Sequence, residues 1–139
     1  MDSPDLTDPA GFHAWADETV RFADLDPLGH ANNAAISTYL ESARVALFTQ
    51  AGALGQGGRS VVIARLTIDF RAELNYADRL RIGTRLLKLG RTSAVLGNGL
   101  FRGETCAATA EVVCVIFDLA ARRPAEITPD LRQFLEALA

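Results

Sequence analysis

The chain has 139 residues, 49% hydrophobic and 22% charged, with a formal net charge of −3, a size and balance that one hydrophobic core serves as a single domain over 1–139. This composition disfavours disorder, and no apolar run approaches the roughly 20 residues that span a bilayer, so no membrane partner is expected. The acidic total argues against a nucleic-acid partner. The opening segment Met1–Pro9, with three aspartates and no Lys or Arg, is the opposite of a targeting segment, so a cytoplasmic location is expected.

Between Gly11 and Phe22, the residues Phe12, Trp15, Val20 and Phe22 are interleaved with polar ones and predict an extended strand. From Asn33 the spacing changes. Ile36, Tyr39, Leu40, Ala43 and Leu47 follow the i, i+3, i+4, i+7 and i+11 pattern, with Asn32 as the N-cap and Gly52 beyond the end, which predicts a helix of about five turns. The glycine-rich stretch from Gly52 to Gly58 breaks it. A period of two then runs from Val62 to Leu74 and predicts a long strand with one buried face. A turn at Asn75 to Asp78 leads to a strand from Leu80 to Leu86, and Gly90 marks the next turn. Further strands follow over Thr92 to Phe101 and Thr105 to Phe117, and Leu131, Phe134, Leu135 and Leu138 fit a short terminal helix. This order predicts an α+β architecture, an antiparallel sheet wrapped around one long alanine-rich helix.

Charge is unevenly placed. From Arg59 to Arg102 there are nine Lys or Arg and three acids, a local balance of +6, as solvated strand faces or a small polyanionic ligand would require. Cys106 and Cys114, the only cysteines, lack paired spacing, so no metal site or disulfide framework is expected and both are assigned to the core. On one strand they stand roughly 26 Å apart, beyond disulfide reach. Glu41 and Arg44, at i and i+3, are expected to form an ion pair on a helix face.

The densest chemistry is Asp24-Leu25-Asp26-Pro27-Leu28-Gly29-His30-Ala31-Asn32-Asn33, directly before the long helix. Pro27 and Gly29 make it a turn, which delivers Asp26 and His30 to the helix entrance. The first N–H groups of that helix lack intrahelical partners and sit at the positive end of its dipole, where a carbonyl oxygen gaining charge is stabilised. Asp24 is expected to hydrogen-bond the loop backbone, and Asn32 to cap the helix.

These residues resemble the opening signature of the hot-dog-fold acyl-CoA thioesterases of the 4-hydroxybenzoyl-CoA thioesterase branch: D-x-D-x-x-G-H-x-N-N running into a helix with Tyr39, Glu41, Ala43 and Arg44. Gly90-Arg91-Thr92-Ser93, between two strands, looks like that family's later K-x-G-R-x-S element. The resemblance implies hydrolysis of an acyl-CoA to coenzyme A and a carboxylic acid, with no cofactor. It implies Asp26 as the catalytic carboxylate, acting as base or nucleophile, and a backbone N–H at Asn33 that polarises the thioester carbonyl; His30, from its place in the motif, is a further catalytic candidate, as an acid or base or as a hydrogen-bonding loop residue. It also implies coenzyme A lying across a homodimer interface, within a homodimer or homotetramer. Lys88, Arg91, Thr92 and Ser93 are then the candidate substrate-binding residues, with Arg65, Arg71, Arg81 or Arg85 as the next phosphate candidates.

Two other functions fit parts of the sequence. A hot-dog enoyl-CoA hydratase resembles it through Asp24 to His30, but Gly29 is an insertion relative to the hydratase D-x-N-P-L-H, and Asp replaces its Asn. A noncatalytic acyl-CoA-binding dimer is disfavoured by the carboxylate at Asp26. A glutamate on the helix, Glu41, is the alternative catalytic acid. A serine triad lacks its G-x-S-x-G elbow.

Overall fold

The computed structural model describes residues 4–139, and the first three residues of the acidic opening segment lie outside the described residues. β1 (Ala14–Thr19) is shorter than the expected Gly11–Phe22 strand. Asp8 accepts the Ala10 N–H at 2.9 Å and starts a 3-10 turn at Pro9–Gly11, and a second such turn takes Phe22–Asp24 out of the ladder. α1 (Asn33–Gln50) matches the expected helix, with 18 residues and the Asn32 side chain accepting the Ala35 N–H at 2.7 Å.

β2 (Arg59–Phe70), β3 (Arg79–Leu89), β4 (Ser93–Arg102), β5 (Thr105–Asp118) and the two-residue β6 (Arg123–Pro124) follow, and α2 (Pro129–Glu136) ends the chain behind a Thr128 cap. The strand order is β1-β3-β4-β5-β2, all antiparallel, with β6 also paired to β5. β1 and β2 are therefore the free edges. Such an antiparallel sheet around one long helix is the hot-dog fold.

The helix face Ala35, Ile36, Tyr39, Leu40 and Ala43 packs on Leu80, Ile82, Leu100, Ala107, Ala108 and Ala110. Alanines on both sides let helix and sheet approach closely. Leu40 is fully buried, so its truncation to alanine is expected to cost about 2–5 kcal/mol. A second cluster joins Phe48, Leu96, Val112, Cys114 and Ile116 to Leu131, Leu135 and Leu138 around α2. Cys114 is buried and its thiol is pushed up to about 11 by that burial, while Cys106 is half-buried; both are free.

Three expectations are corrected. The strand expected from Val62 to Leu74 ends at Phe70, because the Arg71 and Ala72 N–H groups both turn to the Ala107 carbonyl. Nor does it bury one face: Val62, Ile63, Leu66 and Phe70 are 38–46% exposed. An edge strand keeps the period of two without the cover that normally explains it. Finally, Glu41 and Arg44 form no ion pair, since Glu41 is exposed and Arg44 is drawn into the core at 7% exposure.

Candidate active site

The loop between β1 and α1 is folded by its own backbone. The Asp26 N–H donates to the His30 carbonyl and the Gly29 N–H to the Asp26 carbonyl, both at 2.9 Å. Leu25 and Ala31 form an isolated bridge across the neck. Gly29 has φ +83°, which explains the motif glycine, since side-chain-bearing residues disfavour that region. Two more bonds fix the loop: within it the Asn32 N–H donates to the Asp24 carbonyl at 3.0 Å, and from outside the Leu74 carbonyl accepts the Ala31 N–H at 2.9 Å. The second brings the segment after β2 against the helix entrance.

Asp24 is buried and structural. Its Oδ2 accepts the Tyr39 hydroxyl at 2.6 Å and the Arg21 N–H at 2.9 Å, and its Oδ1 pairs with Arg21 Nη2 at 3.2 Å. Burial alone pushes a carboxyl group up, but these hydrogen bonds from Tyr39 and Arg21 outweigh it and hold Asp24 below its ordinary value. Burial first, and then the Asp24 charge, drive the Tyr39 hydroxyl well above its usual range.

Asp26 has a different setting. Its Oδ1 accepts the Leu28 N–H at 2.9 Å and the His30 N–H at 3.4 Å, while Oδ2 carries no hydrogen bond among the described residues. The side chain is half-buried at the wall of a cleft of about 350 Å³. Asp26, His30 and Asn33, the three expected catalytic positions, all line this cleft, together with Phe70, Arg71, Glu73 and Leu74. Asn33 opens the helix, so the positive end of the α1 dipole faces the same space. Glu41 does not line it.

His30 is clasped from across the cleft, with Nδ1 3.2 Å from Asn75 Oδ1 and Nε2 3.3 Å from Glu73 Oε2. Sequence reading missed Phe70, Glu73 and Asn75, and named Arg71 only as a secondary phosphate candidate. They come from the end of β2 and the following turn, about forty residues further along the chain, and only the Ala31–Leu74 backbone bond reveals why they arrive here.

Lys88, Arg91, Thr92 and Ser93 are not brought to this cleft within one protomer. They surround the β3–β4 turn, six strand positions from the Leu100–Ala108 level where the cleft lies, roughly 20 Å at 3.3 Å per residue. That turn is tied to the C-terminal segment: Arg91 Nη1 pairs with Glu126 Oε1 at 2.9 Å, the Ile127 N–H donates to the Arg91 carbonyl, and Arg132 Nη2 donates to the Gly90 carbonyl at 2.7 Å. Among the described residues no group of three or more His, Cys, Asp or Glu side chains is placed to hold a metal ion. Among the same residues no helix is long and apolar enough to cross a membrane.

Comparison with known proteins agrees with this fold. A thioesterase from Thermus thermophilus, solved in complex with coenzyme A and Zn, is 34% identical, with TM-score 0.80, covering 91% of this chain and 95% of its own. The probable thioesterase YbaW from Escherichia coli is 25% identical with TM-score 0.77, covering 91% and 98%. A Pseudomonas aeruginosa protein is 25% identical with TM-score 0.86, covering 93% of each chain. No curated protein matched the chain. The sequence profile of the thioesterase-like superfamily matches residues 20–135, from the end of β1 into α2, and the chain belongs to that superfamily.

Proposed function

We propose that this protein hydrolyses acyl-CoA thioesters to coenzyme A and a free carboxylic acid, with Asp26 as the reacting carboxylate. The observation that carries the reading is the shared cleft, in which Asp26 and the first turn of α1 meet. Thioester hydrolysis requires an activated water or a nucleophile, and a site for the oxyanion of the tetrahedral intermediate. Asp26 is held by Oδ1, so Oδ2 is left to take a proton from water or to attack the carbonyl carbon. The N–H at Asn33 receives the carbonyl oxygen as it gains charge, assisted by the dipole of an 18-residue helix. His30, beside Asp26 on the same loop and held by Glu73 and Asn75 from across the cleft, is the polar group toward the departing thiolate.

The apolar floor from Ile36, Phe70, Ala72 and Leu74 suits the acyl group. A second copy of the chain completes the site. The outer edge of the 12-residue β2 leaves the N–H and C=O groups of alternate residues unpaired and invites a symmetric partner. The partner's β3–β4 turn, with Lys88, Arg91, Thr92 and Ser93, then supplies the phosphate contacts that one protomer keeps too far from Asp26. The bound coenzyme A of the Thermus thioesterase supports this class of ligand.

The test is thiol release across short, long, branched and aromatic acyl-CoAs, with a 2-enoyl-CoA in parallel. Thiol release from at least one saturated ester, without loss of enoyl absorbance ahead of it, is expected. Loss of enoyl absorbance with the thiol still bound would replace this reading with a hydratase, and silence on every ester with tight acyl-CoA binding would replace it with a noncatalytic binder.

A further inference from the structure

The most anomalous side chain in the protein lies outside the cleft. Arg44, on α1, is 7% exposed and makes no ion pair among the described residues, and its Nη1 is buried with no hydrogen-bond partner. Its charge acts on the buried Cys114 thiol, whose neighbour on the edge strand is Ile63. A buried cation without a counter-charge costs several kcal/mol, so a partner is expected in the working assembly.

That partner has to come from the open side. α1 packs over β1 and β3 and covers only part of the concave face of β2, where Val61 and Ile68 reach the core. Ile63, Leu66 and Phe70 lie on that face, opposite the buried Cys114, Val112 and Ala108, yet they are 40%, 38% and 46% exposed. On the helix, Val45 is 45% exposed and Glu41 is exposed without an ion pair. This side therefore holds an apolar strip and an exposed acid, with the buried Arg44 guanidinium three residues along the helix beneath it, and neither charge is paired among the described residues. Such a surface complements itself: under a twofold axis with the helices antiparallel, residue i of one copy meets residue j of the other, and j meets i.

We infer that Glu41 of each protomer pairs with Arg44 of its partner, two reciprocal contacts that close the trough between α1 and β2. The inference rests on the dimer proposed above and adds what holds it together. Opposite charges set the register of the two copies, and the apolar strip supplies the area. The same contacts keep α1 fixed beside the shared site, so assembly and activity are lost together.

The experiment uses full-length chains carrying Glu41→Lys or Arg44→Glu, followed by light scattering and native mass spectrometry, with thermal melts to confirm folding. Each variant alone is expected to weaken self-association at least about 100-fold, because like charges then meet twice. Mixing the two restores a heterodimer, since the new lysine meets the new glutamate and the original Arg44 meets the original Glu41. A pair formed within one chain, or an Arg44 that awaits a small anion, predicts no recovery on mixing. If Arg44→Glu fails to fold, Arg44→Met replaces it, and a heterodimer with Glu41→Lys should then exceed either homodimer about tenfold. Variant homodimers as tight as wild type, or no recovery on mixing, overturn the pairing. A wild-type chain that is monomeric at assay concentration overturns the dimer itself, and thiol release is measured independently of both.

Discussion

Asp24 and Asp26 are two residues apart in one loop, yet they sit in opposite environments. Asp24 is buried, takes hydrogen bonds at both oxygens from Arg21 and Tyr39, and is held ionised with nothing left to offer a substrate. Asp26 spends one oxygen on the loop backbone and keeps the other toward a cleft. A chain that needs both a rigid loop and a reactive carboxylate has separated the tasks: the satisfied acid supplies rigidity, and the unsatisfied one is available for chemistry.

The widest separation between the two comes from replacing each by its amide. Asp26→Asn is expected to lower kcat at least about 100-fold, the loss of a base or nucleophile, with an unchanged melting temperature and circular dichroism spectrum. Near-wild-type turnover would remove Asp26 from the reaction. Asp24→Asn should show the converse, a loss of about 2 kcal/mol and roughly 5 °C in Tm, with kcat nearly retained below the melting range. The acid dependence provides its control. Because Asp24 titrates below its ordinary value of 3.8 in the folded chain, its contribution is complete above that value and disappears as pH falls through the lowered one. The difference in stability between wild type and Asp24→Asn should therefore shrink below about pH 4. A difference independent of pH would mean that packing, not charge, is what Asp24 supplies.

The contrast was partly legible in the sequence. The motif placed both acids at a helix entrance, and Asn32 and Gly29 signalled the cap and the turn by residue type alone. The helix was legible for the same local reason, because a 3.6-residue period over 18 residues has no competing interpretation. What failed was non-local. The period of two in β2 is the same whether a helix covers its face or not, so the exposed Leu66 and Phe70 looked like core, and Ile63 joins their face only through a bulge between Ile63 and Arg65. Glu41 and Arg44 have ion-pair spacing on any isolated helix, and only the sheet beneath decides that Arg44 turns inward. Glu73 and Asn75 reach His30 through the fold of a segment that carries no motif of its own.

A smaller effect is expected at the β3–β4 turn, remote from both aspartates. Lys88→Ala with Arg91→Ala should raise KM for an acyl-CoA about tenfold and leave KM for the matching acyl-pantetheine unchanged, because the second lacks the nucleotide phosphates. Both side chains are exposed, so added salt should narrow the difference. Equal effects on the two substrates would return these residues to a structural role, Arg91 through its pair with Glu126, and the phosphate site would then be sought at Arg65, Arg71, Arg81 or Arg85.

The smallest effect is expected at the clasp on His30. The His30 and Glu73 side chains are 33% and 73% exposed, and a pair so open to solvent contributes about 0–1 kcal/mol, at most roughly fivefold in rate. Glu73→Gln keeps the size and one acceptor but removes the charge, whereas Asn75→Ala removes the acceptor at the other ring nitrogen. If the clasp only orients the imidazole, both variants lower kcat a few-fold, and raising the salt concentration narrows the gap between wild type and Glu73→Gln but not the gap to Asn75→Ala. The comparison bears directly on Asp26, which faces Glu73 across the same cleft. A loss well above tenfold in Glu73→Gln alone, insensitive to salt, would mean that Glu73 itself handles a proton. The reacting carboxylate would then have to be shared between the loop and the end of β2.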